Sequence, residues 1–329
     1  MPSPLGPLSF SPLLKRSIWG GRQLGERLGK PIGQGDDYAE SWELVDRDSD
    51  QSVVRDGPLA GKTLAELMAT RARELLGRHS QLARFPLLLK YLDCQRVLSV
   101  QVHPDDEYAR KMPKPDLGKT EAWYILEAAP QSVVFAGLKA RVTRAELWEA
   151  VSAGQTAEVL HSFHPTAGQC LFIPAGTVHA LGDGLLVAEV QQSSDTTFRL
   201  FDWNRVDSHG QPRQLHIDQA LHVTDFTRGP ITPQTPVAGS DGWETLIACD
   251  QFVLRRARFE PSSQRQFVTG GHDSPVILMV TSGQAALLPA AHAGSAHCTG
   301  ETILLPASDG QRVVELIQPE TIVLEISLP

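Results

Sequence analysis

Short apolar runs separated by turn residues recur along the chain and predict a mainly β protein. Runs of roughly four to eight residues that are rich in branched and aromatic side chains, and are bounded by Gly, Pro, Asn or Asp, are typical of strands. In the first two thirds of the chain such runs occupy residues 40–45, 87–92, 96–102, 121–127, 168–173, 185–191 and 197–200. In the last third they occupy residues 245–249, 252–259, 276–281, 302–305, 313–317 and 321–326.

Two segments follow helical spacing instead. Thr63-Leu-Ala-Glu66 and Thr143-Arg-Ala-Glu146 each have the pattern of a capping box, in which Thr and a Glu three residues later satisfy the first free N–H groups of a helix. Apolar residues then recur three or four positions apart, which indicates one buried helix face. We predict helical insertions at 62–78 and 143–153, and a short helix over 216–221.

A stretch rich in Pro and Gly divides the chain. Residues 226–242 hold three prolines and three glycines and lack a periodic apolar pattern, which is typical of a linker. The chain has 329 residues, more than the roughly 250–300 at which single cores tend to divide. We therefore predict a larger domain over 1–228, a linker over 229–242, and a smaller β domain over 243–329.

Composition excludes several classes of protein. The net charge is −8 and no long run of Lys or Arg is present, so a nucleic-acid partner is not expected. No apolar run reaches the roughly 18 residues of a membrane helix, and the first residues lack the charged and apolar parts of a signal peptide. The four cysteines form no CxxC pair, so we expect neither a disulfide framework nor a thiolate metal site, and we expect a cytoplasmic protein.

Four side chains have the chemistry of metal ligands. Gln101 and His103 are two residues apart in a predicted strand, so they share one face. His179 ends a segment that reads as strand, Pro/Gly turn, strand, and Glu121 begins another predicted strand. Two imidazoles, a carboxylate and an amide oxygen would form an oxygen and nitrogen site for a divalent metal, with a position left open for water or substrate.

The spacing around His179 resembles a known barrel signature. Gly168-x5-Pro174-x-Gly176-x2-His179 resembles the second signature of the cupin barrels, which ends on a metal ligand. The resemblance implies a cupin-type β-barrel or jelly roll with helical insertions, followed by the smaller C-terminal β domain. The histidine pair of the first cupin signature is absent, and Gln101-Val-His103 stands in its place.

Further motifs resemble one subfamily, the type I mannose-6-phosphate isomerases in their short bacterial form. The resemblance covers roughly residues 8–225. It rests on the segments 14–21, 39–43, 85–92, 98–105, 118–121 and 191–199. It implies a zinc-dependent enzyme that interconverts mannose 6-phosphate and fructose 6-phosphate through a cis-enediolate.

The resemblance also implies roles for particular residues. A single zinc ion per chain would be bound by Gln101, His103, Glu121 and His179. The implied catalytic residues are Arg199, Lys119 and Asp195, and those implied to contact the substrate phosphate are Ser99 and Arg205. Two positions depart from the longer enzymes of the family: Gly118 stands where they have a histidine thought to help open the sugar ring, and Arg205 stands where they usually have a lysine.

Alternatives remain open on the sequence alone. The chain could be a non-catalytic cupin that binds a phosphosugar, and retention of Lys119 and Arg199 argues against this. An iron oxygenase would need two histidines and one carboxylate with open positions, and the additional Gln101 disfavours it. The proton-transfer base is undecided among Lys119, Asp195 and metal-bound hydroxide. A phosphorylated hexose is the only partner expected, with the oligomeric state open.

Overall fold

The computed structural model describes residues 5–206, 210–260, 264–288 and 296–329. The prediction of a mainly β fold is confirmed, with 39% strand and 16% helix. The strands of the first part are β1 (Leu8–Ser11), β2 (Leu13–Gly21), β3 (Tyr38–Leu44), β4 (Val53–Val54), β5 (Leu87–Cys94), β6 (Val100–Val102), β7 (Glu121–Ala128), β8 (Val134–Leu138), β9 (Leu160–Phe163), β10 (Cys170–Ile173), β11 (His179–Leu181), β12 (Leu185–Gln192) and β13 (Phe198–Phe201). Those of the second part are β14 (Val237–Ala238), β15 (Glu244–Ala248), β16 (Val253–Arg258), β17 (Gln266–Gly270), β18 (Val276–Ser282), β19 (Gln284–Leu288), β20 (Ala296–Cys298), β21 (Thr302–Leu305), β22 (Gln311–Leu316) and β23 (Ile322–Ser327).

Both predicted helical insertions are confirmed. The helices are α1 (Gln23–Glu26), α2 (Leu64–Leu76), α3 (Asp106–Arg110), α4 (Arg144–Ser152) and α5 (Ile217–Val223). Both capping boxes form: the Thr63 and Thr143 hydroxyls accept from the backbone three residues on, and each following glutamate accepts from the threonine N–H. None of the helices in the described ranges is both long and apolar enough to cross a membrane.

Two antiparallel sheets form the barrel. One has six strands in the order β10-β7-β12-β5-β3-β2, and the other has five in the order β13-β6-β11-β8-β9. A shared apolar cluster joins them, because Trp123 and Leu171 of the first sheet pack with Ala136 and Leu181 of the second. This cluster fills the barrel interior, and the polar site described below adjoins it through Trp123.

The strands β5 and β12 are buried along their whole length. One face of β5 points into the barrel, where Leu92 and Cys94 join the interior cluster. Its other face, with Leu87 and Leu89, packs in a larger core together with the C-terminal strands. A strand covered on both faces reads as a nearly continuous apolar run, which explains the sequence pattern there.

The C-terminal strands form two further sheets, in the orders β14-β15-β16-β23-β18-β21-β1-β4 and β17-β22-β19-β20. The first of these sheets includes β1 and β4 from the start of the chain, with Leu8 opposite Leu304. The predicted linker contains the short strand β14 and touches the barrel, since the Ile231 N–H donates to the Ala136 carbonyl at 3.0 Å. The domain boundaries at 228 and 243 stay a prediction.

Candidate metal and active site

Three of the predicted site residues form a row across adjacent strands. His179 of β11 and Arg199 of β13 both lie opposite Gln101 of β6. Side chains paired in this way on one face are neighbours, roughly 4.5–5.5 Å apart at Cβ. His103 lies just beyond the end of β6, and Glu121 begins β7 in the facing sheet, so the barrel brings all five residues to one interior region.

The candidate ligand atoms converge within a short distance. His103 Nε2 lies 3.4 Å from Glu121 Oε1, and His179 Nε2 lies 3.6 Å from Glu121 Oε2. The ligand atoms of these three residues all lie within 4.8 Å of one another, and the three side chains are buried. Gln101 Nε2 lies 3.3 Å from His179 Nε2, and rotation of the amide would turn its oxygen toward the same point.

Both imidazoles are held with Nε2 toward the cluster. His103 Nδ1 donates to the Thr196 carbonyl at 2.9 Å, and His179 Nδ1 donates to the Thr177 carbonyl at 2.9 Å. With the proton on Nδ1, the Nε2 lone pair of each neutral ring points into the cluster, where it can coordinate a metal. Backbone carbonyls that fix the ring in this way are usual around metal-bound histidines.

The charge states of the cluster also suit a metal. Burial lowers the pKa of His103 well below its ordinary value, with a further contribution from Lys119, and burial likewise lowers the pKa of His179. Burial opposes ionisation of Glu121, but the adjacent Lys119 ammonium favours the carboxylate, and the pKa of Glu121 lies below the usual range. The rings are therefore neutral and the carboxylate ionised, which is the protonation that ligation requires.

The Glu121 carboxylate has few donors for a buried anion. The Lys119 ammonium pairs with Oε1 at 2.7 Å, and among the described residues no hydrogen bond to Oε2 is found. Lys119 Nζ also lies 3.3 Å from His103 Nε2, so its ammonium contacts two of the candidate ligand atoms. A buried carboxylate with so few donors fits a cation site, because unpaired buried charge is costly.

Ser99 and Arg199 lie together. Arg199 Nε donates to Ser99 Oγ at 3.2 Å, and its Nη1 donates to the Gln214 carbonyl at 2.9 Å. Burial lowers the pKa of Arg199, and the neighbouring Arg213 lowers it further. Ser99 and Arg199 thus lie side by side where β6 pairs with β13, next to the candidate ligand Gln101.

Arg205 and Arg213 share one carboxylate, that of Asp202, near Arg199. Arg205 forms an ion pair with Asp202 and donates to the Val97 carbonyl. Arg213 binds the same carboxylate, with Nε 2.7 Å from Asp202 Oδ2. Arg213 was not predicted, because it lies beyond the motif that ends at Arg199.

Asp195 is placed differently from the other predicted residues. Its side chain is exposed and lines a cavity of about 600 Å³ on the outer side of the 193–196 loop. Its backbone N–H lies 3.4 Å from Asp116 Oδ2. A catalytic role for Asp195 stays a prediction.

A buried charge network adjoins the cluster and was not predicted. Lys90 Nζ lies 3.0 Å from Glu189 Oε1 and 3.2 Å from Glu40 Oε2, and Trp123 Nε1 donates to Glu189 Oε2 at 2.9 Å. Burial raises the pKa of Glu189, and the nearby Glu121 raises it further. The available signal was Lys90, a charged residue inside an otherwise apolar run.

Gly118 cannot be replaced by a larger residue without rearrangement. A Cβ there would lie 2.5 Å from the backbone nitrogen of Asp106 and 2.7 Å from the carbonyl carbon of Asp105. The Gly118 N–H donates to Asp106 Oδ1 at 2.8 Å, which holds the two segments together. The histidine of the longer enzymes therefore does not fit at this position in the present backbone.

The fold and the cluster together define a cupin-type barrel protein with a candidate metal centre of two histidines and one carboxylate. Residues 8–136 match the family model described as phosphomannose isomerase type I, catalytic domain. The chain is 38% identical over 253 residues to the mannose-6-phosphate isomerase ManA of Bacillus subtilis, which covers 75% of this chain and 78% of that protein. It is 36% identical over 253 residues to the mannose-6-phosphate isomerase of Streptococcus mutans, covering 77% and 76%.

Solved structures give the same result over the whole chain. The mannose 6-phosphate isomerase from Bacillus subtilis superposes with a TM-score of 0.86 and 30% identity, covering 99% of this chain and 100% of that one. A phosphomannose isomerase from Salmonella typhimurium, at 15% identity, shares the fold with a TM-score of 0.76. The chain belongs to the type I mannose-6-phosphate isomerase family, and the predictions of this family and of an isomerase are confirmed.

Proposed function

We propose that this chain interconverts mannose 6-phosphate and fructose 6-phosphate at the cluster of His103, Glu121 and His179. The observation that carries the proposal is the Glu121 carboxylate, buried between two Nε2 atoms and beside the Lys119 ammonium. Family membership supports the same reaction, since the relatives named mannose-6-phosphate isomerase align with most of the chain.

The proposed cofactor is a single zinc ion per chain. His103, Glu121 and His179 would bind it, with Gln101 supplying its amide oxygen. Zinc accepts mixed nitrogen and oxygen ligands because it has no geometric preference from d-electrons. When bound, a divalent metal supplies Lewis acidity toward sugar oxygens and so stabilises negative charge that forms on them.

Arg199 is proposed to stabilise the transition state. Isomerisation moves a proton from C2 to C1 and another from the C2 oxygen to the C1 oxygen, through a cis-enediolate whose negative charge lies on the C1 and C2 oxygens. A guanidinium stays charged at any working pH and offers a rigid fork of donors. The bonds of Arg199 to Ser99 and Gln214 hold that fork in place before substrate arrives, which is the preorganisation that such catalysis needs.

Two buried groups are proposed to handle the proton. Lys119 contacts two candidate ligand atoms and is 4% exposed, so it lies beside any sugar oxygen that approaches the cluster. Glu189 is a buried carboxylate whose pKa is raised by its surroundings, as suits a group that takes up and returns a proton. Asp195 is exposed, so the role proposed for it from the sequence requires a movement of the 193–196 loop.

The substrate phosphate is proposed to bind where the arginines gather. Arg205 and Arg213 both pair with the single carboxylate of Asp202, and Arg199 lies close enough to interact electrostatically with all three groups, which leaves an excess of positive charge. Ser99, bonded to Arg199, adds a hydroxyl at the same edge. Guanidinium groups are well suited to phosphate because their planar fork matches its oxygens.

A coupled assay with mannose 6-phosphate, run with and without chelator, tests this function. We expect turnover that the chelator abolishes and zinc restores, and metal analysis should find a single zinc ion per chain. Arg199→Ala should lower kcat by roughly 10²–10³-fold, comparable to removing an oxyanion-stabilising donor, with zinc still bound. Binding of mannose 6-phosphate without turnover would instead favour the non-catalytic phosphosugar-binding cupin, and full activity of metal-free protein would refute the metal centre.

A further inference from the structure

Asp116 is a partly buried carboxylate that the proposed reaction does not use, yet it gathers donors from three parts of the chain. Arg47 approaches it with Nη1 and Nη2, at 3.1 and 3.2 Å. Ser194 Oγ donates to it at 3.1 Å, Thr196 Oγ1 at 2.9 Å, and the Leu117 N–H at 2.9 Å. Exposed ion pairs seldom combine so many partners, and their contribution to stability is usually small.

Asp116 and Arg47 together anchor the 193–196 loop. Arg47 Nη1 also donates to the Ser193 carbonyl at 2.7 Å, and the Thr196 N–H donates to Ser194 Oγ at 3.3 Å. The loop is thus held through the Ser193 carbonyl and through the hydroxyl groups of Ser194 and Thr196. Thr196 connects this anchored loop to the candidate ligand cluster, because its carbonyl accepts from His103 Nδ1 at 2.9 Å.

We propose that Asp116, paired with Arg47, is a positioning residue for the metal ligand His103. By anchoring the 193–196 loop, it keeps the Thr196 carbonyl where it can hold the proton on Nδ1 and direct Nε2 toward the cluster. The inference rests on the proposed metal centre for its functional meaning. Groups that orient a metal ligand without touching the metal typically contribute about 10- to 100-fold in metal affinity.

His179 provides an internal comparison. Its Nδ1 bonds to the Thr177 carbonyl, in the turn that follows β10, and Arg228 supports that turn through the Ala175 carbonyl at 2.7 Å. This support shares no residue with Asp116 and Arg47. Loss of Asp116 should therefore disturb His103 and leave the orientation of His179 unchanged.

The first test is zinc affinity, measured by competition with a chromophoric chelator. Asp116→Asn keeps the size of the side chain but removes its charge and replaces one acceptor by a donor, so zinc affinity should fall about 10- to 100-fold. Asp48→Asn is the matched control, because Asp48 lines the same cavity but pairs with the exposed Arg84. The control should bind zinc as the unaltered chain does.

The second test is histidine-selective nitrogen NMR of metal-free protein. The unaltered chain should show His103 with its proton on Nδ1, and Asp116→Asn should show a mixture of tautomers for His103 alone. Zinc affinity and a His103 signal unchanged in Asp116→Asn, even with a lower Tm, would overturn the proposal and leave Asp116 a purely structural residue. If Asp116→Asn does not fold, Arg47→Gln carries both measurements.

These readouts separate the two proposals. An unaltered chain that binds no zinc would refute the metal centre, whereas the tautomer of His103 would still decide whether Asp116 orients the ring.

Discussion

At the residue scale, two carboxylates compete for the role of the proton-transfer group. Glu189 is buried beside Lys90 and Trp123, whereas Asp195 is exposed on the outer loop. We expect Glu189→Gln to lower kcat by roughly 10²–10⁴-fold, the range of general acid–base catalysis, with zinc content unchanged. Asp195→Asn should keep nearly full activity. Coupled assays that give kcat and KM for both variants, together with metal analysis, check this prediction. A larger loss of kcat in Asp195→Asn than in Glu189→Gln would return the proton-transfer role to Asp195.

The individual site residues show what a sequence can and cannot supply. The alternation of strand side chains predicted that Gln101 and His103 share a face, and the spacing of Pro174 and Gly176 placed His179 directly after a tight turn. Neither pattern predicts how close two elements far apart in the chain will lie. Arg213 and Glu189 were therefore not predicted as site residues. Their positions follow from strand register and from the shared carboxylate of Asp202, which only the folded chain establishes.

At the element scale, local signals predicted the three longer helices well and the strands less completely. Both capping boxes form as expected because they need only residues three apart. The strand expected over 96–102 is regular only from Val100, since Leu98 instead donates its N–H to the Leu181 carbonyl. The nine-residue strand β2 was not predicted, because its edge position and register shifts break the alternation of apolar residues.

The turn between β10 and β11 carries the next prediction. Gly176 has φ +85°, and its N–H donates to the His103 carbonyl at 2.8 Å, so the turn ties two ligand segments together. Gly176→Ala should strain this backbone and lower both zinc affinity and kcat. Gly310→Ala is the matched control, with φ +77° and open space in the C-terminal part. Zinc affinity should fall only in Gly176→Ala, although Tm should fall in both variants, and the same zinc affinity in both would contradict this prediction.

At the scale of the whole molecule, the two predicted domains share a sheet and a core. The start of the chain pairs with β21, so residues 8–11 belong to the C-terminal sheet although they lie in the predicted catalytic domain. One core contains Phe10, Leu87 of the barrel and Ile277 of the C-terminal part. A segment rich in Pro and Gly predicts a linker, but the apolar pattern does not reveal that the two parts bury a common face.

This shared core predicts cooperative unfolding. Phe10 is 6% exposed at the junction, and Phe10→Ala should cost roughly 3–5 kcal/mol of unfolding free energy. Because the core contacts both parts, amide-hydrogen exchange should accelerate in β5 and in β18 together. Val268→Ala, at a side chain 45% exposed on β17, should leave both strands protected. Faster exchange confined to β18, or two separate thermal transitions, would show instead that residues 243–329 unfold as an independent domain, as a simple reading of the linker suggests.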